Sequence, residues 1–147
     1  MTWIQWIISH LHPTPTPTPV PPPGPMTNAA LVQAINQIRA AHGLLGLVEI
    51  PPLSAQALAH SQAMIKSGIL GHDGFAARIA AVFPGTSAGE NVEENQFATA
   101  ADCANEWMTD AAHQANMLGA WNVIGVGIAV DAVGRNWITA DFDASGS

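Results

Sequence analysis

Four side chains of this sequence have the chemistry to hold a cation or to polarise a water molecule. His72 lies in a turn between glycines, where a side chain is free to project. Glu90 follows further along the chain, and Asp110 and His113 come later, three residues apart. Two imidazoles with one or two carboxylates suit a divalent cation of the zinc type. The same side chains could bind a polar ligand group, so we expect them to meet in one cleft.

The downstream members of this set have a helical spacing. Glu106, Asp110 and His113 are related as i, i+4 and i+7, which places them on one face if a single helix runs through all three. Trp107 shares a face of that predicted helix with smaller apolar residues and is expected in the core. A structural alternative remains open, in which Glu90 caps a turn and His113 bonds a backbone carbonyl.

Composition and charge exclude several classes of partner. The 147 residues are 48 % hydrophobic and 10 % charged, which suits one globular domain with a single core. The net charge is −7, and the four fixed cations are dispersed, so neither nucleic acid nor an anionic membrane surface is an expected partner. The single cysteine, Cys103, allows no intrachain disulfide and is expected to be buried and inert.

The N-terminal arm differs from the rest of the chain. Residues 1–12 are apolar, too short to span a bilayer, and lack the basic start and the cleavage site of a signal peptide. Residues 13–25 are mostly proline and threonine and predict a polyproline II spacer of about 40 Å. The apolar segment is a cloning or gene-start artefact, a sticky tail that folds back on the domain or, as we expect, a docking peptide anchored by Trp3, Trp6 and Ile7.

The remaining residues, 26–147, predict one domain in which helices alternate with short strands. Thr27 is a credible helix N-cap, and glycines at positions 43 and 68 end two predicted helices. Bulky and tiny residues alternate from Ile124 to Val130, which predicts a strand with one small face that another element can approach closely. A turn and a returning strand follow, so the fold class is α+β.

Six short motifs follow one another in the order of a known family. They are Asn36-x-x-Arg39-x-x-His42-Gly43, Leu58-Ala59-x-Ser61, Gly71-His72-Asp73-Gly74-Phe75, Gly89-Glu90-Asn91-Val92, Trp107-x-x-x-x-x-His113-x-x-Asn116-Met117-Leu118 and Ile124-Gly125-Val126-Gly127. In this order they resemble the CAP superfamily of cysteine-rich secretory proteins, venom antigens and plant pathogenesis-related proteins, and most closely its bacterial, cysteine-poor, SCP-like branch. The resemblance covers about residues 28–143 and leaves out the arm.

The resemblance implies an α-β-α sandwich with a small antiparallel sheet of about three strands, here preceded by the extended proline-rich arm. It also implies a central cleft with two histidines and two acidic residues, which fall by motif on His72, Glu90, Asp110 and His113. Many family members carry Glu at the position of Asp110, and Glu106, one turn earlier, is the alternative. Asn36 and Arg39 are expected to be structural, holding a helix to a loop.

Family membership does not fix activity, since related folds host many functions. We expect a binding domain rather than an enzyme, at an extracellular, cell-surface or virion-associated location, with zinc or another divalent cation or a small ligand in the cleft. Residues 1–25 would contact a protein partner or a larger assembly. One alternative is a metal-assisted hydrolase with Glu90 or Asp110 as the base. The other is a lipid or sterol carrier, which requires an apolar pocket.

Overall fold

A four-stranded sheet lies between layers of helices in the computed structural model, which describes residues 26–145. The helices are α1 (Asn28–Ala41), α2 (Pro51–Ser67), α3 (Phe75–Ala80), α4 (Ala100–Trp107) and α5 (Ala111–Met117), and the strands are β1 (Val48–Glu49), β2 (Ala88–Asn95), β3 (Val123–Val130) and β4 (Asn136–Asp143). Helix α2 packs on one face of the sheet, and α1 packs with α4 on the other. The predicted α+β sandwich is confirmed, whereas the predictions for the docking peptide and the linker fall on residues outside the described part.

The sheet has the strand order β1-β3-β4-β2. Strands β2, β4 and β3 pair antiparallel, as the predicted small sheet requires, and β1 adds a two-residue parallel pairing to β3. The additional strand was not predicted, because two residues carry no readable alternation. Strand β2 is an edge strand, and its register places Glu90 opposite Asp141 and Asn91 opposite Ala140. This register decides which side chains face each other at the candidate site.

The small face of β3 lets α2 approach the sheet very closely. A side-chain carbon added at Gly127 would overlap backbone atoms of Ala57 and Leu58, and one added at Gly125 would overlap the backbone of Leu53. The expected close approach is therefore confirmed. Because side chains alternate between the two faces of a strand, the residues paired with these glycines also face α2. Asp141, the partner of Gly125 in the ladder, is one of them.

The main core lies on the opposite face of the sheet, between the strands and helices α1 and α4. Leu31 and Ile35 of α1 are fully buried there, and so is Trp107 at the end of α4. The predicted core position of Trp107 is thus confirmed. Thr27 is the N-cap that precedes α1, and its hydroxyl accepts a hydrogen bond from the Ala30 amide at 3.2 Å. Between residues 26 and 145, no helix has both the length and the apolar composition needed to cross a bilayer.

A buried arginine ties α1 to the end of α5. Arg39 is 2 % exposed and donates hydrogen bonds to four backbone carbonyls, those of Leu45, Met117 and Gly119, each at 2.9 Å, and that of Trp121 at 3.4 Å. Asn36, one turn earlier, bonds both backbone groups of Leu47. The structural role expected for both residues is confirmed. Because α5 carries His113, these bonds also help to fix one wall of the candidate site.

The prediction of a single helix through Glu106, Asp110 and His113 is wrong. Helix α4 ends at Trp107, and Asp110 is the N-cap of the separate helix α5, with its carboxylate accepting hydrogen bonds from the Ala112 and His113 amides. The Thr109 hydroxyl donates to the Glu106 carbonyl at 2.7 Å. Short polar side chains compete in this way with the backbone bonds that would continue a helix. The three residues therefore do not share one helical face.

The close approach of α2 predicts that the fold will not accept a methyl group at Gly127. Gly127→Ala should lower the free energy of unfolding by about 1–3 kcal/mol or more, because the overlap is with helix backbone that cannot rotate away. Val130→Ala, on the same strand at a side chain that is 62 % exposed, is the control and should change stability by about 0.5 kcal/mol or less. Chemical denaturation checks both, and equal stabilities would show that α2 is not in close contact with β3.

Candidate functional site

His72 is bonded to a buried carboxylate. It lies in the loop between α2 and α3 with 56 % of its side chain exposed, and its Nδ1 is 2.8 Å from Oε1 of Glu90. The Glu90 side chain, on β2, is only 1 % exposed. A carboxylate only accepts hydrogen bonds, so this contact places a hydrogen on Nδ1 of His72. Nε2 of the ring is left without a partner among the described residues.

The second oxygen of Glu90 is held by an arginine. Nη2 of Arg78 lies 2.6 Å from Oε2 of Glu90, and the guanidinium is mostly buried. Nε of Arg78 donates to the Asp73 carbonyl at 3.2 Å, and the guanidinium carbon lies 6.0 Å from the centre of the Phe75 ring. Both oxygens of the buried carboxylate are therefore engaged, one by a cation and one by an imidazole.

Asp141 places a second buried carboxyl group beside Glu90. It lies directly across the ladder from Glu90, is fully buried, and has its Oδ2 3.7 Å from Nη1 of Arg78. As a carboxylate it finds no donor for either oxygen among the described residues. Burial raises the pKa of Asp141 to about 8, with help from a hydrogen bond to Glu90 and from the negative charge of Glu90, while Arg78 opposes the shift. A proton on Asp141 supplies the missing hydrogen bond between the two carboxyl groups.

The second histidine, His113, also has a carboxylate near Nδ1 of its ring, that of Asp110. Oδ1 of Asp110 lies 3.7 Å from Nδ1 of His113, whose side chain is 29 % exposed. The backbone amide of His113 is the main cause that lowers the pKa of Asp110, because it donates to the carboxylate. The ring of His113 lies 6.1 Å from that of buried Trp107, measured between centroids. Asp110 and His113 thus form a pair at the N-terminus of α5.

Two asparagines attach both histidine pairs to the same short stretch of β2. Asn91 donates to the His113 carbonyl at 3.2 Å, and Asn116 of α5 donates to the Glu90 carbonyl at 3.0 Å and to Oδ1 of Asn91 at 2.9 Å. Glu90 and Asn91 are consecutive, so their side chains lie on opposite faces of the sheet. The His72 loop and helix α5 therefore reach this edge strand from its two faces, and each histidine pair is attached to one of these two consecutive residues.

Glu106 is not part of this arrangement. It is exposed on α4, and no described hydrogen bond or ion pair joins its carboxylate to the histidines. Its negative charge instead contributes to raising the pKa of Glu93 and the pKa of Cys103. Within residues 26–145, no three histidine, cysteine or acidic side chains converge closely enough to form a metal-binding group by themselves.

The model of one protein family matches this chain over most of its length. It is the CAP model, described as the cysteine-rich secretory protein family, and it matches residues 32–142. The chain belongs to the CAP family. No curated protein sequence matches this CAP chain.

Solved structures share the fold of this CAP domain. An outer surface protein from Borrelia burgdorferi is 15 % identical with a TM-score of 0.70, and the match covers 78 % of this chain and 90 % of that one. An extracellular protein containing an SCP domain from Bacillus anthracis is 24 % identical with a TM-score of 0.66, and a cysteine-rich secretory protein from Staphylococcus aureus is 16 % identical with a TM-score of 0.67. Each of these two matches covers 82 % of this chain but only 44 % and 40 % of the other chain, respectively.

Arg78 and Asp141 are cleft residues that sequence reasoning missed in this CAP domain. Arg78 lies within a short helix, and its position gave no indication that it would reach β2. Asp141 belongs to a strand whose residues are all buried, so an acidic side chain there was a signal of a charged interior. Only the register of β2 with β4 identifies Glu90 as its neighbour.

A mostly apolar groove lies beside the His72 loop. Its volume is about 450 Å³, and it runs between α2 and the segment that leads into α3. Small or flexible side chains line much of it, among them Ala59, Ala63, Met64, Ile69 and Ala77. Arg78 also contributes to the lining, so the groove adjoins the Glu90 cluster. A groove of this size is in the range that proteins use for small apolar ligands.

The buried carboxyl pair predicts a pH-dependent effect of Asp141→Asn. The pKa of Asp141 is about 8 in the fold and near 3.9 for an unfolded chain, so between these values the folded state holds one more proton. The stability that Asp141 contributes is complete below about pH 4 and is lost as the pH rises towards 8. Asparagine does not ionise and can still donate to Glu90. The variant should therefore gain stability relative to the wild type between about pH 5 and pH 8.

Urea denaturation at several pH values measures this difference. The expected slope is at most about 1.4 kcal/mol per pH unit, since one proton is involved. Glu106→Gln, at an exposed carboxylate outside the cluster, is the matched control. A difference between Asp141→Asn and wild type that stays constant with pH would mean that Asp141 is ionised throughout this range.

Proposed function

We propose that this CAP domain is a binding domain whose cleft holds a divalent cation or a small polar ligand between His72 and His113. One observation carries the proposal: a carboxylate lies behind Nδ1 of each ring, at 2.8 Å for His72 and 3.7 Å for His113. Nε2 of both rings is left without a partner among the described residues. His72 has the arrangement common to histidines that bind zinc, in which a carboxylate orients the ring through a hydrogen bond to its other nitrogen. Asp110 lies near Nδ1 of His113 but beyond hydrogen-bond distance.

The donor chemistry fits a zinc-type ion held by two imidazoles. In this proposal Glu90 and Asp110, which the family resemblance suggested as ligands, act as the carboxylates behind the rings. Both oxygens of Glu90 already have partners, and Asp110 caps α5 with the oxygen nearest His113. A bound cation would supply a positive centre that attracts carboxylate, phosphate or carbonyl groups of a ligand.

Binding fits the cleft better than hydrolysis does. A general base must reach the water molecule that it deprotonates, but the Glu90 side chain is 1 % exposed and both of its oxygens are bonded. The Asp110 carboxylate accepts hydrogen bonds from two backbone amides, which lower its pKa and weaken it as a base. Cys103 is fully buried, and burial raises the pKa of its thiol, so it is not a free nucleophile.

An extracellular or surface location is supported by the proteins that share the fold. One is named an outer surface protein and another an extracellular protein. The arm is the proposed means of attachment, because residues 1–12 are apolar, carry no charged side chain and include two tryptophans. The stiff spacer of residues 13–25 would hold the domain away from a protein partner or a larger assembly such as a cell-surface layer or a virion.

The groove beside His72 supports lipid or sterol binding as a second candidate function. Its lining is mostly apolar, and its volume of about 450 Å³ accommodates part of an acyl chain or a ring system. Mass spectrometry of the chain purified under native conditions addresses it, and a bound lipid that is lost on substitution of Ala63 by Trp would locate it in the groove.

The cation proposal predicts zinc binding that weakens in acid. Protons compete with zinc for neutral imidazole, so affinity should fall as the pH drops below about 6.5. Calorimetry of the full chain should show one site at neutral pH, and the double substitution His72→Ala with His113→Ala should abolish it. His42→Ala, at the exposed histidine that forms the C-cap of α1, is the matched control. Equal binding by the double variant would contradict a site in this cleft.

The arm proposal predicts that attachment depends on Trp3 and Trp6. Replacing both by Asp in the full chain should leave the domain folded, because the CAP family match covers residues 32–142 and does not include the arm. The variant should no longer co-purify with the assembly, since aromatic anchors dominate such contacts. Deleting residues 1–25 should have the same effect. Attachment that persists in either variant would show that the domain, and not the arm, makes the contact.

A further inference from the structure

We propose that Arg78 is a positioning residue of the cleft, which holds the Glu90 carboxylate so that His72 presents the lone pair of Nε2 outwards. This inference rests on the proposed function for its consequence in ligand binding. The geometry of the three side chains carries it, because Arg78 and His72 bond to the two different oxygens of one buried carboxylate.

Little besides Glu90 orients the ring of His72. More than half of its side chain is exposed, and it lies in a loop between glycines. Among residues 26–145, the bond to Glu90 is the hydrogen bond that its ring makes. A ring fixed by one contact follows the position of the group that it contacts. The direction of Nε2 therefore depends on where Oε1 of Glu90 lies.

Arg78 is the charged partner that holds the Glu90 carboxylate. A buried carboxylate needs charged or hydrogen-bonding partners, and Arg78 supplies one at 2.6 Å. The guanidinium is itself held, since Nε bonds the Asp73 carbonyl one residue from His72 and the group lies against Phe75. Asp141, across the ladder, adds a hydrogen bond to Glu90 when it is protonated but carries no positive charge. Arg78 is therefore the charged group that holds Oε2 of Glu90 and leaves Oε1 directed at His72.

The position of the Glu90 carboxylate determines the tautomer of His72. An ionised carboxylate accepts only, so a bond of 2.8 Å to Nδ1 requires the hydrogen on Nδ1. In the neutral ring the other nitrogen, Nε2, then has a free lone pair, as a cation or a hydrogen-bond donor requires. If Glu90 turns away, the exposed ring is free to place its hydrogen on either nitrogen. The predicted signature of Arg78 is thus a single tautomer of His72.

Arg78→Gln in the full chain tests the proposal through two measurements. Long-range nitrogen-15 spectra at about pH 8, where an ordinary imidazole is neutral, report which nitrogen of His72 carries the hydrogen. The wild type should show the Nδ1–H form alone, and the variant should show a mixture. Zinc affinity should fall by about 10- to 100-fold, the usual cost of losing a group that orients a metal-binding histidine. An unchanged tautomer in the variant overturns the proposal.

Arg135→Gln is the matched control. Arg135 pairs with Glu94 of β2 and with Asp131, so it also bridges carboxylates at the sheet, but away from His72. It should leave both measurements at the wild-type values, and a mixed tautomer in this variant would overturn a specific role of Arg78. If Arg78→Gln does not fold, Arg78→Lys is the test variant, because lysine keeps the positive charge but lacks the planar guanidinium that can bond two groups at once. A shift of the tautomer ratio towards that of free imidazole is then expected, and a wild-type ratio overturns the proposal.

The two measurements separate this inference from the cation proposal. Loss of the single tautomer in a protein that binds no zinc supports the role of Arg78 and contradicts the cation site. Zinc binding that is equal in wild type and Arg78→Gln, with one tautomer in both, contradicts the role of Arg78 and leaves the cation site in place.

Discussion

The candidate site depends on one buried charge, the carboxylate of Glu90. Removing a carboxylate from water costs several kcal/mol, and the cost is met only where partners replace the lost hydration. Arg78 and His72 bond its two oxygens. Asp141 lies across the ladder, and its raised pKa means that it is protonated near neutral pH, so that two like charges do not repel each other. The loop that carries His72 and the short helix that carries Arg78 are thereby tied to one point of β2. A change at Glu90 would release both.

The edge strand β2 acts as the junction of the cleft because consecutive residues point to opposite faces. Glu90 binds the loop and helix on the face covered by α2, and Asn91 binds the start of α5 on the face of the main core. The Asn116 side chain bonds both residues, because it donates to the backbone carbonyl of Glu90 and to the side-chain oxygen of Asn91. Two ordinary rules, alternation along a strand and satisfaction of buried polar groups, therefore attach the two histidine pairs to consecutive residues of β2.

The fold was largely predictable from sequence because its signals are local. Helix caps at Thr27 and Gly68, and the alternation of bulky and tiny residues along β3, report on their own segments. The break before α5 was not predicted, since the i, i+4, i+7 spacing ignores the capping strength of Asp110. The contacts of Arg78 and Asp141 with Glu90 could not be predicted from the sequence for a different reason. Both residues meet Glu90 through strand register and helix packing, and neither can be read from spacing along the chain.

A crystal structure of the full chain with zinc, using anomalous scattering at the zinc edge, tests the central claim most directly. The arrangement predicts one anomalous peak in the cleft, bound by Nε2 of His72 and Nε2 of His113. Glu90 should remain between Nδ1 of His72 and the Arg78 guanidinium. A zinc ion bound directly by the Glu90 carboxylate, with the bond to Arg78 broken, would contradict the claim that this buried charge serves to orient the histidine.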